Sequence, residues 1–369
     1  MDDIILCGSF GFGNVGDEAV VYAIQDILSE IHPSTKVKVL SRFQKPEVQE
    51  YGQPIGCEDL ELLVKGSLRS LPLVVVGGGV FEPRSTAVAS RCKNALTARH
   101  RKNFFFAVGA EPGQYRFLEK RLIRQEVALA GGLSARDNWS ARVLKGILKA
   151  PVPVIGDIVL SMRTKSSTDY DSRLNSKYIV VSLCPQWRSP EWHDWISSEL
   201  ALTARSMDAT IVFLPMASKH DEDVEMAEIV SNKLLVEHGF DQLLVIRGQP
   251  SAPEALSIIS NSALVIGMRL HSCVMAAASG VPTIPIAYHP KLMGFASTLG
   301  IENLVIPALS FDEGQLLTKW CFDSKTFVRG TLLRLAEKAS LQKVDVENFR
   351  NQHKLYLSRM IDEISSQGN

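Results

Sequence analysis

The stretch LVIGMRLHSCVMAAASGVP, residues 264–282, determines the fold that this sequence predicts. Its apolar triplet, 264–266, predicts a short buried strand. Gly267 permits a sharp turn, and 270–279 predicts a helix that ends at Gly280 and Pro282. A helix that follows a strand through a tight turn has unpaired backbone N–H groups at its start, where its dipole also favours negative charge. The stretch therefore predicts an α/β unit with an anion site at the start of the helix.

Two side chains at this turn suit an anionic ligand. Arg269 offers a planar guanidinium that matches a carboxylate or a phosphate, and His271 can donate a hydrogen bond or transfer a proton. Taken singly, an exposed arginine or a partly buried histidine with a structural partner is the simpler interpretation. The residues alone leave both interpretations open.

Length and composition indicate a two-domain cytosolic protein. A chain of 369 residues is long for one hydrophobic core. Its 40 basic and 40 acidic residues give no support to a nucleic-acid or polybasic membrane role, although a local patch is compatible with them. Six scattered cysteines without a C-x-x-C pair predict reduced thiols. We expect no signal peptide and no membrane-spanning segment.

The N-terminal region contains a motif with two interpretations. Strand Ile4–Cys7 precedes a glycine-rich loop, in which residues 11–16 match the dinucleotide-binding pattern G-x-G-x-x-G. Asp17 and Glu18 then place two carboxylates where a pyrophosphate would bind, which is costly without a metal or a cation. The next strand, Val37–Leu40, is not followed by the acid that would hold a ribose. These observations oppose a nicotinamide or flavin cofactor, and acids in a first helical turn are also ordinary helix chemistry.

The alternation of strands and helices predicts parallel sheets with ligands at the carboxyl ends of the strands. Strand 73–76 opens into a triple glycine, strand 104–108 ends at Gly109, and 152–155 is expected to be the last strand of this half. A polar linker is predicted at 163–172, after which the pattern restarts at Tyr178. The predicted architecture is two Rossmann-like domains, 1–165 and 175–330, facing across a cleft. A helical tail, 331–369, is expected to pack back on the first domain through Leu357, Met360, Ile361 and Ile364.

Several of these motifs resemble the polysaccharide pyruvyl transferase family. The resemblance is carried by residues 11–19, the glycines 77–79, Arg136-Asp137, and 267–271 together with 276–282. It implies a fold similar to GT-B glycosyltransferases and transfer of a pyruvyl group from phosphoenolpyruvate to two hydroxyls of one sugar. The product would be a cyclic ketal in a cell-envelope or exported polysaccharide or its lipid-linked precursor, with release of phosphate. We expect no cofactor beyond this donor, no metal and no nucleic-acid partner.

The resemblance also implies roles for individual residues. The donor site would comprise Arg269, Leu270, His271 and Arg188. The acceptor sugar would be held by Asn14, Asp17, Gly78, Gly79 and Glu82. The acid–base groups would be His271, Asp17 and Glu18, and the sequence does not decide whether His271 donates the proton or binds the phosphate.

Two departures from the family pattern and two alternative functions stay open. The family's Arg-Pro-Trp corresponds here to 184–188, Cys-Pro-Gln-Trp-Arg, and its Tyr-Asp-Pro-Lys to 288–291, Tyr-His-Pro-Lys.

A GT-B nucleotide-sugar glycosyltransferase and a non-catalytic glycan-binding relative are the alternative functions. The expected location is the cytoplasm, with peripheral association at the inner face of the membrane left open. The sequence does not predict the oligomeric state.

Overall fold

The computed structural model describes residues 3–40, 53–55, 71–83, 103–164, 174, 176–185, 189–217, 222–307, 309–312, 315–320 and 328–366. Most of the predicted linker at 163–172 lies outside these residues. The chain divides into two compact units. The first unit comprises Met1–Phe12, Asp17–Ser161 and Val346–Asn369, and the second comprises Gly13–Gly16 and Met162–Asp345.

The regular elements alternate along the chain. In the described residues the helices are α1 (Val15–Ile31), α2 (Phe117–Ala128), α3 (Asn138–Leu148), α4 (Pro190–Met207), α5 (Glu222–Val236), α6 (Ala252–Ser260), α7 (Leu270–Ala278), α8 (Pro290–Leu299), α9 (Thr331–Leu341) and α10 (Glu347–Ser365). The strands are β1 (Ile4–Cys7), β2 (Val37–Leu40), β3 (Gln53–Ile55), β4 (Leu73–Val76), β5 (Gly79–Phe81), β6 (Asn103–Ala110), β7 (Gly132–Ala135), β8 (Tyr178–Ser182), β9 (Thr210–Phe213), β10 (Leu243–Val245), β11 (Leu264–Gly267), β12 (Thr283–Ala287), β13 (Ile306–Pro307), β14 (Leu309–Asp312) and β15 (Gln315–Trp320).

The first unit is built on a parallel sheet with the order β3-β2-β1-β4-β6-β5, to which β7 is added beside β6. Strand β1 is central: Ile5 is in register with Lys38 of β2 and with Leu73 of β4. All eight residues of β6 are buried. Such continuous apolar strands are typical of a parallel sheet that is covered on both faces.

The predicted last strand of this half, 152–155, is wrong as a full strand. The structure has an isolated bridge, in which Ala135 N donates to Pro153 O and Ile155 N donates to Ala135 O. Pro151 and Pro153 have no N–H group, so this segment cannot donate the hydrogen bonds of a longer ladder.

The second unit has the strand order β10-β9-β8-β11-β12-β13, all in parallel. This is the order of a Rossmann fold, in which the first and fourth strands lie together at the centre. The predicted strand at 264–266 and helix at 270–279 are confirmed as β11 and α7. Every residue of α7 is buried, and its small side chains allow it to lie against the sheet. The predicted capping box is also present, because Ser251 and Glu254 cap the start of α6.

The C-terminal helices divide between the units: α9 belongs to the second and α10 to the first. Helix α10 packs on a short 3-10 turn, Ile158–Ser161, where Arg350 Nε donates to Leu160 O at 3.1 Å, and its Leu357, Met360 and Ile361 are buried. His353 is completely buried in this contact, with Nδ1 2.7 Å from Ser161 Oγ. Among the described helices, none has the length and apolar character needed to span a bilayer. The predicted α/β class with two Rossmann-like domains is confirmed.

Candidate functional site

The β11–α7 turn of the second unit is tight at its first residue. A Cβ atom on Gly267 would lie 2.5 Å from both Ser272 Oγ and Cys273 Sγ, so a larger residue does not fit. After this glycine, Met268 N donates to Ser182 O at 2.8 Å, which ties the turn to β8. Arg269 then occupies the N-cap of α7 with an extended backbone (φ −77°, ψ 125°). The local sequence thus fixes where the Arg269 side chain begins.

A buried carboxylate holds the Arg269 guanidinium. Nη2 and Nε of Arg269 donate to the two carboxylate oxygens of Asp223 at 2.5 and 3.1 Å, in the bidentate geometry that arginine favours. The Asp223 side chain is 1% exposed and also accepts hydrogen bonds from the backbone of Met216 and Ala217. Burial alone would lower the pKa of Arg269, but the hydrogen bonds and charge of Asp223 raise it, so the group stays cationic. The Arg269 side chain remains 24% exposed, which leaves part of its fork available to a ligand.

The glycine-rich loop meets His271 within the second unit. A Cβ atom on Gly16 would lie 1.9 Å from His271 Nδ1, so the imidazole packs directly on the Gly16 backbone. Asn14 pairs with Ala217 in an antiparallel bridge, and its Oδ1 accepts a hydrogen bond from Gly16 N at 3.0 Å. Residues 14–16 of the loop are therefore held beside the residues that carry Arg269 and His271.

One departure from the family pattern, Cys184, lies close to Arg269, and the other, His289, begins the next helix beside Tyr288. Cys184 is buried beside Tyr288, and both side chains lie near the Arg269 guanidinium, whose charged partner is Asp223. Burial, and then the neighbouring Cys184 thiol, raises the pKa of Tyr288, so its hydroxyl stays protonated. His289 occupies the N-cap of α8, where its Nδ1 accepts a hydrogen bond from Lys291 N at 3.3 Å. An aspartate at this position would accept the same hydrogen bond, so the substitution keeps the cap and removes a charge.

In the first unit, two carboxylates approach one glycine. A Cβ atom on Gly79 would lie 2.6 Å from Glu82 Oε1 and 3.4 Å from Glu111 Oε1. Gly78 precedes it in the left-handed region (φ 53°), and its carbonyl accepts a hydrogen bond from Gly109 N at 3.0 Å. The triple glycine thus brings the backbone under a pair of acids, which can accept hydrogen bonds from the hydroxyls of a sugar.

The acids at the start of α1 have balancing partners within the first unit. Glu18 Oε1 accepts a hydrogen bond from Gly11 N at 2.8 Å. Burial would lower the pKa of Arg136, but the charges of Asp137, Asp157 and then Asp17 raise it. The cation that two adjacent carboxylates require is therefore supplied in part by Arg136.

The structure divides the predicted site residues between the units. Arg269, Leu270, His271 and Asn14 belong to the second unit, and Asp17, Glu18, Gly78, Gly79 and Glu82 to the first. Arg188 lies outside the described residues. Their roles stay predictions. Sequence reasoning missed Asp223, which resembles any acid in a first helical turn, and left Glu111 out of the site. Within the described ranges no three His, Cys, Asp or Glu side chains cluster as a metal site would require.

Comparison with known proteins gives the family. The sequence profile of polysaccharide pyruvyl transferase matches residues 14–290. The chain belongs to this family. As a polysaccharide pyruvyl transferase, it is an enzyme that transfers pyruvyl groups. The match includes the loop at Asn14, the triple glycine and the β11–α7 turn. A comparison with curated protein sequences found no significant match.

Solved structures that resemble this polysaccharide pyruvyl transferase have the GT-B fold. A UDP-GlcNAc 2-epimerase from Neisseria meningitidis, bound to UDP-GlcNAc, is 13% identical over 98% of this chain and 100% of its own, with a TM-score of 0.59. A glycosyltransferase from Rickettsia africae is 12% identical over 98% of each chain, with a TM-score of 0.55. The ADP-heptose lipopolysaccharide heptosyltransferase II of E. coli is 14% identical over 92% of this chain and 100% of its own, with a TM-score of 0.50. At these identities the likeness concerns the fold alone.

Proposed function

We propose that this enzyme transfers the pyruvyl group of phosphoenolpyruvate to two hydroxyls of one sugar in a cell-envelope or exported polysaccharide or its lipid-linked precursor. The observation that carries the proposal is the Arg269 guanidinium, held by buried Asp223 at the N-terminus of α7 with His271 two residues further on. Phosphoenolpyruvate presents a carboxylate and a phosphate. A fixed guanidinium beside a helix N-terminus is suited to such a dianion.

The second unit supplies the donor chemistry in this proposal. Arg269 binds the phosphate or the carboxylate with the donors that Asp223 does not use. His271, held against Gly16, delivers a proton to the methylene carbon of phosphoenolpyruvate while a sugar hydroxyl adds to the adjacent carbon. A second hydroxyl then displaces phosphate at that carbon. Of the two hydroxyl protons, one balances the proton placed on carbon and the other leaves with phosphate, so no oxidant or cofactor is needed.

The first unit supplies the acceptor groups in this proposal. Glu82 and Glu111 accept hydrogen bonds from sugar hydroxyls above the triple glycine. Asp17, whose charge is balanced by Arg136, is the group we assign to remove a hydroxyl proton. Glu18 already accepts the Gly11 N–H, so its role is to shape the loop.

Release of phosphate from phosphoenolpyruvate, measured across a panel of activated sugars and short glycans, tests the proposal. When phosphoenolpyruvate reacts with an accepted sugar in D₂O, the methyl group of the resulting ketal should contain one deuterium. His271→Asn should lower kcat by at least about 10²-fold if the imidazole is the proton donor, and mainly raise the donor KM if it only binds.

The same assays separate the alternatives. Thermal stabilisation by UDP- or ADP-sugars but not by phosphoenolpyruvate would favour a nucleotide-sugar glycosyltransferase. Glycan binding without phosphate release would favour a non-catalytic relative. Arg269→Lys keeps the charge but loses the bidentate fork, so it should weaken the binding of phosphoenolpyruvate without changing that of the sugar.

A further inference from the structure

A basic face on the first unit stands out in a chain with no net charge. Between residues 112 and 151 the charged side chains outside the core are all cationic. They are carried by α2 and α3 and by the residues next to these helices: Arg116, Lys120, Arg121, Arg124, Arg142, Lys145 and Lys149. The acids of this segment, Glu119, Glu126 and Asp137, are at most 4% exposed. We call these seven cations, with the exposed apolar residues of α2, the α2–α3 face.

Two of the buried acids cap the helices of this face. Glu119 accepts a hydrogen bond from Arg116 N at 2.7 Å at the start of α2, and Asp137 accepts one from Ser140 N at 2.7 Å at the start of α3. Asp137 also binds the Arg136 guanidinium. In the part of the chain that the structure describes, none of the seven cations forms an ion pair. Their charge is therefore directed to the solvent.

Three large apolar side chains are exposed on the same helix. Phe117 is 79% exposed, Leu118 52% and Leu129 45%, at the two ends of α2. At 3.6 residues per turn these three lie within a sector of about 120°, and Arg116, Lys120 and Arg124 lie to one side of it. The outer surface of α2 thus has an apolar strip beside a cationic edge.

The cationic edge continues onto α3. Arg124 Nε donates to Ile147 O at 2.7 Å, which places the C-terminal end of α3 beside the cationic side of α2. The two helices also pack through Ile123, Leu144 and Ile147 in one apolar core. Lys145 and Lys149 extend the charge from that end. One rigid face therefore presents apolar and cationic groups together.

We infer that the α2–α3 face docks on an anionic lipid surface. Interfacial helices combine Phe and Leu with Lys and Arg in this way: the apolar groups enter the headgroup boundary and the cations attract acidic lipids. A nucleic-acid surface fits less well, because Leu118 and Leu129 have no ring on which a base could stack. The inference does not depend on the donor or the acceptor chemistry proposed above.

Co-sedimentation of the full chain with vesicles tests the inference. Phosphatidylcholine vesicles should bind the protein weakly, and vesicles containing one third phosphatidylglycerol should bind it strongly and less so at high salt. Each cation near a charged bilayer contributes about fivefold in affinity, so Arg121→Glu with Lys145→Glu should weaken partitioning at least about 25-fold. Phe117→Ser with Leu118→Ser should weaken it independently of salt.

A matched control lies on α9 of the second unit. Leu341 is 85% exposed and Lys338 is exposed on the same helix, so Leu341→Ser with Lys338→Glu makes one substitution of each kind elsewhere. This variant should bind vesicles like the native chain, and circular dichroism should show all variants folded. Equal binding to neutral and anionic vesicles, or equal losses in the control, would overturn the inference. So would binding to single-stranded RNA in place of vesicles.

Discussion

Replacing Gly16 by alanine should disable the donor site while leaving most of the protein intact. The added Cβ would lie 1.9 Å from Nδ1, 2.3 Å from Cγ and 2.6 Å from Cβ of His271. Rotation of the imidazole cannot relieve the last of these contacts, because the His271 Cβ is fixed by its backbone. The ring must retreat by about 1.5 Å to reach ordinary van der Waals contact.

The size of the effect follows from that displacement. A misplacement of about 1 Å costs on the order of 10²-fold in rate, so kcat/KM for phosphoenolpyruvate should fall by at least this factor in Gly16→Ala. Overpacking of this kind lowers the free energy of unfolding by about 1–3 kcal/mol, which leaves the variant folded at room temperature if the native chain has ordinary stability. Phosphate release and isothermal titration with phosphoenolpyruvate measure the first effect, and urea unfolding measures the second.

A second glycine provides the control. A Cβ on Gly146, within α3, meets nothing within 4 Å, so Gly146→Ala should keep full activity and stabilise the helix by about 0.5–1 kcal/mol. In a His271→Ala background, where the ring is absent, Gly16→Ala should have a smaller effect than in the native chain. A folded Gly16→Ala enzyme with native turnover and native donor affinity would refute the functional importance of this contact.

Three further changes have defined outcomes. Asp223→Asn should weaken the binding of phosphoenolpyruvate in calorimetry and lower the free energy of unfolding by about 3 kcal/mol, because it breaks a buried ion pair with Arg269; unchanged values would show that Arg269 needs no partner. Glu111→Gln should raise the KM for the acceptor sugar about tenfold in phosphate-release assays, with little effect on the affinity for phosphoenolpyruvate. A variant in which only the affinity for phosphoenolpyruvate changed would contradict this role for Glu111. Burial lowers the pKa of His353 to about 4, so between pH 6.5 and 4 the unfolded chain binds the proton that the native chain does not. The free energy of unfolding should therefore fall by about 3 kcal/mol as the pH drops through this window. Urea titrations should show a flatter pH dependence for His353→Gln, and identical slopes would contradict the assignment.

The features that sequence reasoning predicted well are local ones. The β11–α7 turn is specified by neighbouring residues: an apolar triplet, a glycine that leaves room for Ser272 and Cys273, and a glycine and a proline that end the helix. The capping box before α6 is equally local. Such patterns act within a few residues of the chain, so they can be read without tertiary contacts.

The partners of the site residues could not be predicted, because they come from distant parts of the chain. Asp223 lies 46 positions from Arg269, in a run of acids that suits any helix start. The need for a cation beside Asp17 and Glu18 followed from their charges alone, but its identity, Arg136, required the fold. The carboxylates of Glu82 and Glu111 converge only because the triple glycine passes beside β6. Sequence chemistry indicated what each group requires, and topology supplied the partner.

The two departures from the family pattern are best understood together. An arginine at 184 would place a second guanidinium beside Arg269, and an aspartate at 289 would add a negative charge next to Tyr288. With Cys184 and His289, the positive charge is absent beside Arg269 and the negative charge is absent at the start of α8. His289 still caps α8, and Asp223 remains the partner of a single guanidinium. Asp223 thus remains the charged partner that keeps Arg269 cationic, and the departure at Cys184 changes the side chains that surround Arg269 and Tyr288.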